Sequence, residues 1–199
     1  MIEHYRQLIK FRTLWFALVR RHLTARYRGS VLGLVWSLLN PLILMSVYTL
    51  VFNYYLRITT VEFYAIFLFT GLLPWLWATS ALNEGTSSIV ASGHLITKSL
   101  FPAQILPAVS VTVALLHFLL SLPLLVLFMV VAGTPLSVWW GALPLVMILQ
   151  ALFLYGVSVS TAALNVLYRD VQHLVANMLT LLFFLCPILY PVDAVPAQF

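Results

Sequence analysis

The sequence has 199 residues, of which 63% are hydrophobic and 8% are charged, and its mean hydropathy is +1.04. Soluble domains average about 25% charged residues, so this composition excludes an ordinary soluble domain. The formal net charge of +5 does not indicate nucleic-acid binding, because seven of the ten Lys and Arg residues precede residue 29, in an arm interleaved with Leu, Trp and Phe. Such an arm is typical of an anchor on anionic lipid. The single cysteine, Cys186, excludes an internal disulfide and a cysteine-based metal site.

The first predicted element is an amphipathic helix over residues 1–30. Polar and basic residues repeat along one face, and Trp15, Val19 and Leu23 lie on the other. This pattern predicts an interfacial helix on the cytoplasmic surface of the membrane. Gly29 and Gly33 follow it. We expect them to bend the chain into the bilayer and to let another helix approach closely.

Residues 31–199 form the predicted transmembrane domain. Five apolar segments are long enough to be read as spans, and they cover roughly 31–56, 63–83, 103–132, 138–164 and 174–190. Only helices and closed barrels satisfy the backbone in lipid, and barrel-type alternation is absent, so we predict an all-α polytopic fold. Nine Lys and Arg residues fall on one predicted face and one on the other. The positive-inside rule therefore places the N-terminus and the 84–102 and 165–173 loops in the cytoplasm.

An aromatic stripe marks the first predicted span. Tyr48, Phe52 and Tyr55 share one face at helical spacing, and Trp36 lies nearer the cytoplasmic end. Aromatic faces can stack on sugar rings, so these four residues are the predicted substrate path. An interfacial aromatic belt and simple helix packing are the alternative explanations.

The 85–102 loop is predicted to contain a short amphipathic helix. Thr86, Ser87 and Ser88 are suitable N-cap residues, and Pro102 ends the segment. An apolar helix side at a membrane surface can insert into a groove of a soluble partner. A loop helix resting on the membrane is the alternative.

Catalytic signatures are not found in the sequence. Neither lysine follows a Gly-rich turn, so a P-loop is missing, and there is no His-Glu-x-x-His motif, carboxylate pair or Ser/His/Asp arrangement. We therefore predict no catalytic residues and no metal site. His117 is the one ionisable residue in the middle of a span. A packing role with a hydroxyl or carbonyl partner is the preferred interpretation, and a functional role is the alternative.

Five ordered motifs carry a family resemblance. They are RYRGSVLGLVWSLLNPL (26–42), GLLPWLWATSAL (71–82), LITKSLFPAQILP (95–107), NVLYRDV (165–171) and CPILYPVDAVP (186–196). Together they resemble the membrane subunit of ABC transporters that export lipid-linked polysaccharides, the Wzm-type O-antigen permeases and their teichoic-acid and capsule relatives. The match covers nearly the whole chain.

The resemblance implies a homodimer in the bacterial inner membrane with two separate ATP-binding subunits. ATP and Mg would be bound by those subunits, so no cofactor is expected in this chain. The substrate would be a glycan on undecaprenyl pyrophosphate, with Arg26 and Arg28 at the headgroup entrance. The residues expected to couple to the ATPase are Ser92, His94, Leu95, Ile96, Lys98, Arg169 and Asp170.

One departure from the family concerns the C-terminal span. The family has six spans, whereas five can be drawn here, so a C-terminal part including the sixth span is expected to be missing. Two other functions remain open. The chain could be an ABC permease for a drug or another lipid, or a membrane-bound enzyme acting on lipid-linked sugars.

Overall fold

The computed structural model describes residues 11–55, 61–98, 101–134 and 137–194, and no β-strand occurs within these ranges. The helices are α1 (Arg12–Tyr27), α2 (Trp36–Thr49), α3 (Tyr64–Ala91), α4 (Gly93–Lys98), α5 (Ile105–Val131), α6 (Leu143–Leu167) and α7 (Val171–Leu185). A π-helical segment, Leu50–Tyr55, extends α2, and short 3-10 turns lie at Gly33–Val35, Val138–Ala142 and Val192–Ala194.

Four helical segments are long and apolar enough to cross a membrane: Trp36–Tyr55, Tyr64–Ala91, Ile105–Val131 and Trp140–Leu167. This confirms the predicted polytopic helical fold. The predicted fifth span, 174–190, differs. Its helix α7 has 15 residues, or about 22 Å at 1.5 Å per residue, against about 30 Å of hydrocarbon. The chain after α7 continues along α3 towards its N-terminal end, where Ile188 lies beside Gly71 and the Tyr64 hydroxyl donates to the Leu189 carbonyl at 2.7 Å.

Helix α3 is the centre of the bundle and contacts α2, α5, α6 and α7. Its buried side chains include Leu68, Phe69 and Trp77. Trp77 stacks on Phe118 of α5, with ring centroids 5.2 Å apart. Lipid tails are as apolar as leucine, so this packing is driven by close van der Waals contact and hydrogen bonds rather than by exclusion from water.

A polar seam joins α3 to α6. The Gln150 amide donates to the Pro74 carbonyl at 3.0 Å, Ser158 donates to the Ala81 carbonyl at 3.3 Å, and the Thr86 and Thr161 hydroxyls lie 2.8 Å apart. From one hydrogen bond to the next, the residue number rises on α3 and on α6, so the two helices are parallel. Their C-terminal ends therefore lie at the same end of the bundle.

We call this end the basic end. It contains α1, α4, the C-terminal ends of α3 and α6 and the N-terminal ends of α2, α5 and α7, because those three helices run antiparallel to α3. Every Lys and Arg in the described ranges lies there: Arg12, Arg20, Arg21, Arg26, Arg28, Lys98 and Arg169. The folded bundle therefore carries its described basic residues at one end, as the charge distribution predicts. Arg57, the one basic residue predicted for the opposite face, lies outside the described residues.

The prediction of a loop from residue 84 is wrong. Helix α3 continues to Ala91, and Thr86, Ser87 and Ser88 lie inside it rather than at a helix N-cap. Ser87 and Ser88 donate to carbonyls three or four residues earlier, which satisfies their hydroxyls without ending the helix. Only α4 (Gly93–Lys98) corresponds to the predicted short helix.

Two predictions for the first span are partly wrong. Gly29 and Gly33 have φ of +81° and +47°, which fits the predicted bend, but an added Cβ would meet nothing within 4 Å. No close helix approach to them therefore occurs within the described chain. The π-helical Leu50–Tyr55 segment turns less per residue than an α-helix, which rotates Tyr55 away from Tyr48. Tyr55 is 73% exposed, whereas Tyr48 is half-buried.

Candidate functional site

A groove of about 500 Å³ lies at the basic end between α1, α3, α4 and α5, and we call it the α1–α4 groove. Arg26 and the predicted coupling residues Ser92, His94 and Leu95 line it. The side chains of Ile96 and Lys98 are outside the described part of α4. The structure thus brings one section of the predicted coupling segment against the N-terminal helix.

The remaining predicted coupling residues lie outside this groove. Arg169 and Asp170 are exposed in the link between α6 and α7, at the basic end. The Asp170 carbonyl accepts hydrogen bonds from the backbone N–H groups of His173 and Leu174, which starts α7. The two residues therefore form a second exposed surface at the end that carries the groove.

Helix α1 is held by its own protein and does not rest on the membrane surface alone. Val19 is buried in a cluster with Ile105, Ala108, Val109 and Val113 of α5, and Trp15 and Leu23 pack around it. The apolar face predicted for the arm is therefore covered in large part by α5. Residues 1–10, including Arg6 and Lys10, lie outside the described residues.

Two side-chain pairs tie the last turn of α1 to the bundle. Arg26 forms an ion pair of 2.9 Å with Glu84 of α3, and the Tyr27 hydroxyl lies 3.1 Å from His117 Nδ1 of α5. Burial raises the pKa of Tyr27 above its ordinary value, so the hydroxyl stays protonated. His117 thus has the hydroxyl partner that the packing interpretation expects.

The second predicted entrance residue, Arg28, is exposed and makes no ion pair in the described structure. Glu84 and Tyr27 could not be predicted as partners, because they lie 58 and 90 residues along the chain from the groups they contact. Helix periodicity places a side chain on a face but does not say which distant helix that face will meet.

A second cavity, of about 470 Å³, lies between α2 and the α3–α5 pair. We call it the α2 cavity. Trp36, predicted to lie on the substrate path, lines this cavity together with Asn40 and His117. Trp36 is thereby separated from the other residues of the predicted aromatic stripe.

An aromatic groove of about 370 Å³ lies between α2, α3 and α7. Tyr48 lines it, with its ring centroid 5.7 Å from that of Phe183, and Trp75 is 5.9 Å from Phe183. Phe52 packs edge-on to Tyr48 at 6.5 Å. Trp75 and Phe183 come from α3 and α7, so their place beside Tyr48 could not be read from the spacing within the first span.

Polar side chains share the aromatic groove. Thr79, Asn83 and Thr180 line it beside the rings. Such a surface offers apolar contact to C–H faces and hydrogen bonds to hydroxyls, which are the two contacts a sugar makes. No group of three His, Cys, Asp or Glu residues able to hold a metal ion occurs among the described residues.

These features define a multi-pass helical membrane protein. The family model for ABC-2 type transporters matches residues 13–199, and the chain belongs to this membrane-subunit family. It is 42% identical over 199 residues to the O-antigen export system permease protein RfbA of Myxococcus xanthus, covering 98% of this chain and 75% of that relative. Two Klebsiella pneumoniae proteins of the same name are 36% and 34% identical over 183 residues, each covering 92% of this chain and 70% of the relative.

Proposed function

We propose that this chain is the transmembrane subunit of an ABC exporter that moves lipid-linked polysaccharide across the bacterial inner membrane. The observation that carries the proposal is the 42% identity, over nearly the whole chain, with an O-antigen export permease. The substrate is proposed to be an O-antigen-like glycan on undecaprenyl pyrophosphate. The aromatic groove supports a glycan over a drug, because it combines stacked rings with Thr79, Asn83 and Thr180.

A homodimer with two separate ATP-binding subunits is the proposed assembly. The α1–α4 groove is the proposed docking surface for the ATPase, since it combines the apolar Leu18 and Leu95 with the charged Arg21 and Arg26. A soluble partner can bury a helix or loop in such a groove. The exposed Arg169–Asp170 pair offers a further polar contact at the basic end.

The basic end is proposed to face the cytoplasm. Lys and Arg are enriched in cytoplasmic segments of membrane proteins, and the described ones all lie at this end. This orientation puts the α1–α4 groove on the side where ATP is available. Arg26 and Arg28 would then meet lipid headgroups of the cytoplasmic leaflet.

Deletion of the gene tests the function. We expect surface glycan to disappear and lipid-linked glycan to accumulate inside the cell, with both restored by the gene on a plasmid. Surface polysaccharide is measured on intact cells and the lipid-linked pool after extraction. Normal surface glycan with altered export of a drug or another lipid would contradict the proposal.

A charge in the α1–α4 groove tests the docking surface. Leu95→Asp should abolish co-purification of the ATPase, because a carboxylate would be buried in an apolar contact. Thr13→Asp adds the same charge at an exposed position of α1 that does not line the groove, and it is the matched control. Equal ATPase recovery with both variants, at equal membrane insertion, would place the docking surface elsewhere.

A further inference from the structure

The α2 cavity has both polar and apolar walls. Its polar lining residues are Arg26, Tyr27, Ser37, Asn40, Ser80, His117 and Ser121. Its apolar walls include Ile43 and Leu44 of α2 and Leu73 and Leu76 of α3. Its volume of about 470 Å³ falls within the about 300–1,000 Å³ of small-ligand pockets.

On α2 and α3 the change from polar to apolar lining follows the direction of the membrane. Helices α2 and α3 both span, so the step from Asn40 to Leu44, or from Ser80 to Leu73, runs from the basic end into the hydrocarbon. Trp36 and Ile43 line the cavity and are 40% and 47% exposed, so the cavity is open at the surface of the described chain. A ligand that enters from the leaflet would meet polar groups with its head and apolar walls with its tail.

Arg26 gives the polar part its charge preference. Its guanidinium lies 2.9 Å from Glu84 and remains 46% exposed, so a second anion can reach it. Arginine binds phosphate through paired, charge-assisted hydrogen bonds. The neighbouring Tyr27 hydroxyl and Asn40 amide can donate further hydrogen bonds to phosphate oxygens.

We propose that the α2 cavity binds one anionic lipid with a phosphate in its head, with the phosphate at Arg26 in competition with Glu84 and part of its tail between α2 and α3. The lipid could be an anionic phospholipid of the surrounding membrane or the polyprenyl pyrophosphate carrier. This inference rests on the proposed function only for the second of these sources. The proposed lipid site lies inside one subunit, and it includes residues other than the predicted entrance residues Arg26 and Arg28.

Photolabelling in the assembled transporter tests the site. The complex is reconstituted in phosphatidylcholine nanodiscs with phosphatidylglycerol or phosphatidylcholine that carries a diazirine on one acyl chain. Adducts are then mapped by mass spectrometry. We expect phosphatidylglycerol to label peptides with Ile43, Leu44, Leu73 or Leu76 about tenfold more than phosphatidylcholine, which is about 1.4 kcal/mol. Both lipids carry a phosphate, but the positive choline makes phosphatidylcholine neutral overall and weakens its attraction to Arg26. Equal labelling by the two probes would overturn the site.

Three variants separate this site from a general attraction to basic residues. Arg26→Gln should remove the preference for phosphatidylglycerol, and Arg20→Gln, an exposed α1 residue outside the cavity, should retain it. Glu84→Gln should strengthen the preference because the competing carboxylate is gone. If Arg26→Gln does not assemble, Glu84→Gln alone decides. Weaker labelling of Glu84→Gln, or loss of the preference in Arg20→Gln, would overturn the proposal.

Competition identifies the source of the lipid. Unlabelled polyprenyl pyrophosphate should displace the probe at lower concentration than unlabelled phosphatidylglycerol if the site serves the exported carrier. The opposite order assigns it to the membrane's own phospholipid. Displacement by inorganic pyrophosphate alone, at the same concentration as by the lipid, would contradict a lipid site. Glycan export is measured separately, so a negative result for lipid binding in the α2 cavity would not contradict the proposed exporter function.

Discussion

Helices α2 and α3 are neighbouring membrane spans with different surroundings. In the most apolar 18-residue window of each, 39% of α3 is buried inside the protein but only 11% of α2. Helix α3 is tied to α6 by the polar seam, whereas α2 lines the aromatic groove and the α2 cavity. Both helices are apolar enough to span, so hydropathy alone does not distinguish them. The comparison indicates that α3 carries much of the packing of the bundle, whereas α2 lines its two open cavities.

Replacing one leucine by alanine on each helix should give the largest difference in stability between α3 and α2. Leu72 of α3 is 1% exposed, and Leu50 at the end of α2 is 47% exposed. Leu72→Ala should cost about 2–3 kcal/mol in the free energy of unfolding because it leaves a cavity. Leu50→Ala should cost less than about 0.5 kcal/mol. Denaturation of the purified protein in detergent measures both, and equal losses would break the comparison.

A glycine pair tests the close approach of α3 to α6. A Cβ on Gly85 would lie 2.6 Å from Ser158 Oγ and 2.8 Å from its Cβ, whereas nothing lies within 4 Å of a Cβ on Gly156. Gly85→Ala should therefore destabilise the protein by about 1–3 kcal/mol through overpacking. Gly156→Ala should be neutral or stabilising, since alanine favours a helix. Thermal unfolding compares them, and an unchanged melting temperature for Gly85→Ala would show that α3 and α6 separate freely.

The aromatic groove tests the functional side of the comparison. Tyr48→Ala should lower the export of long glycan several-fold while ATPase co-purification and complex yield stay near normal. Tyr54→Ala, an exposed residue that does not line the groove, is the matched control. Glycan length on the cell surface is measured by gel electrophoresis. A low yield of the Tyr48→Ala complex with normal export per complex would show that Tyr48 serves packing.

The hydroxyl pair in the polar seam is expected to give the smallest effect. The Thr86 and Thr161 hydroxyls are 2.8 Å apart, and Thr161 also bonds to carbonyls of its own helix. A double-mutant cycle with Thr86→Val and Thr161→Val should give a coupling energy of about 0.6 kcal/mol, typical of such bonds in membranes. A coupling near zero would mean that packing alone holds α3 to α6.

Composition and charge were sufficient to predict the helical membrane class and the uneven distribution of basic residues. The end of α3 was not predictable, because Glu84, Thr86 and Ser87 form a polar run that is typical of a loop. In the structure these groups are satisfied by Arg26, by Thr161 and by carbonyls of α3 itself. Two of those partners lie on other helices, and a single sequence does not state which helices meet.

The roles of the candidate site residues remain predictions. The structure places Ser92, His94 and Leu95 in one groove with Arg26, and it places Tyr48 among aromatic rings. The position of Tyr55 was not predictable because the π-helical segment changes the rotation per residue, and nothing in its residue types announces that change. Trp36 was placed on the predicted substrate path because it lies on the same span as Tyr48. In the structure it lines the α2 cavity instead, because α3 and α5 face it there.

ATP-driven movement of glycan in inverted membrane vesicles tests the central claim most directly. These vesicles expose the cytoplasmic face, so an exported lipid-linked glycan would enter the lumen and become protected from added glycosidase. We expect protection to require ATP, to occur with the wild-type chain and to be lost with Leu95→Asp. Equal protection without ATP, or in vesicles that lack this chain, would contradict its role as the permease of an ATP-driven glycan exporter.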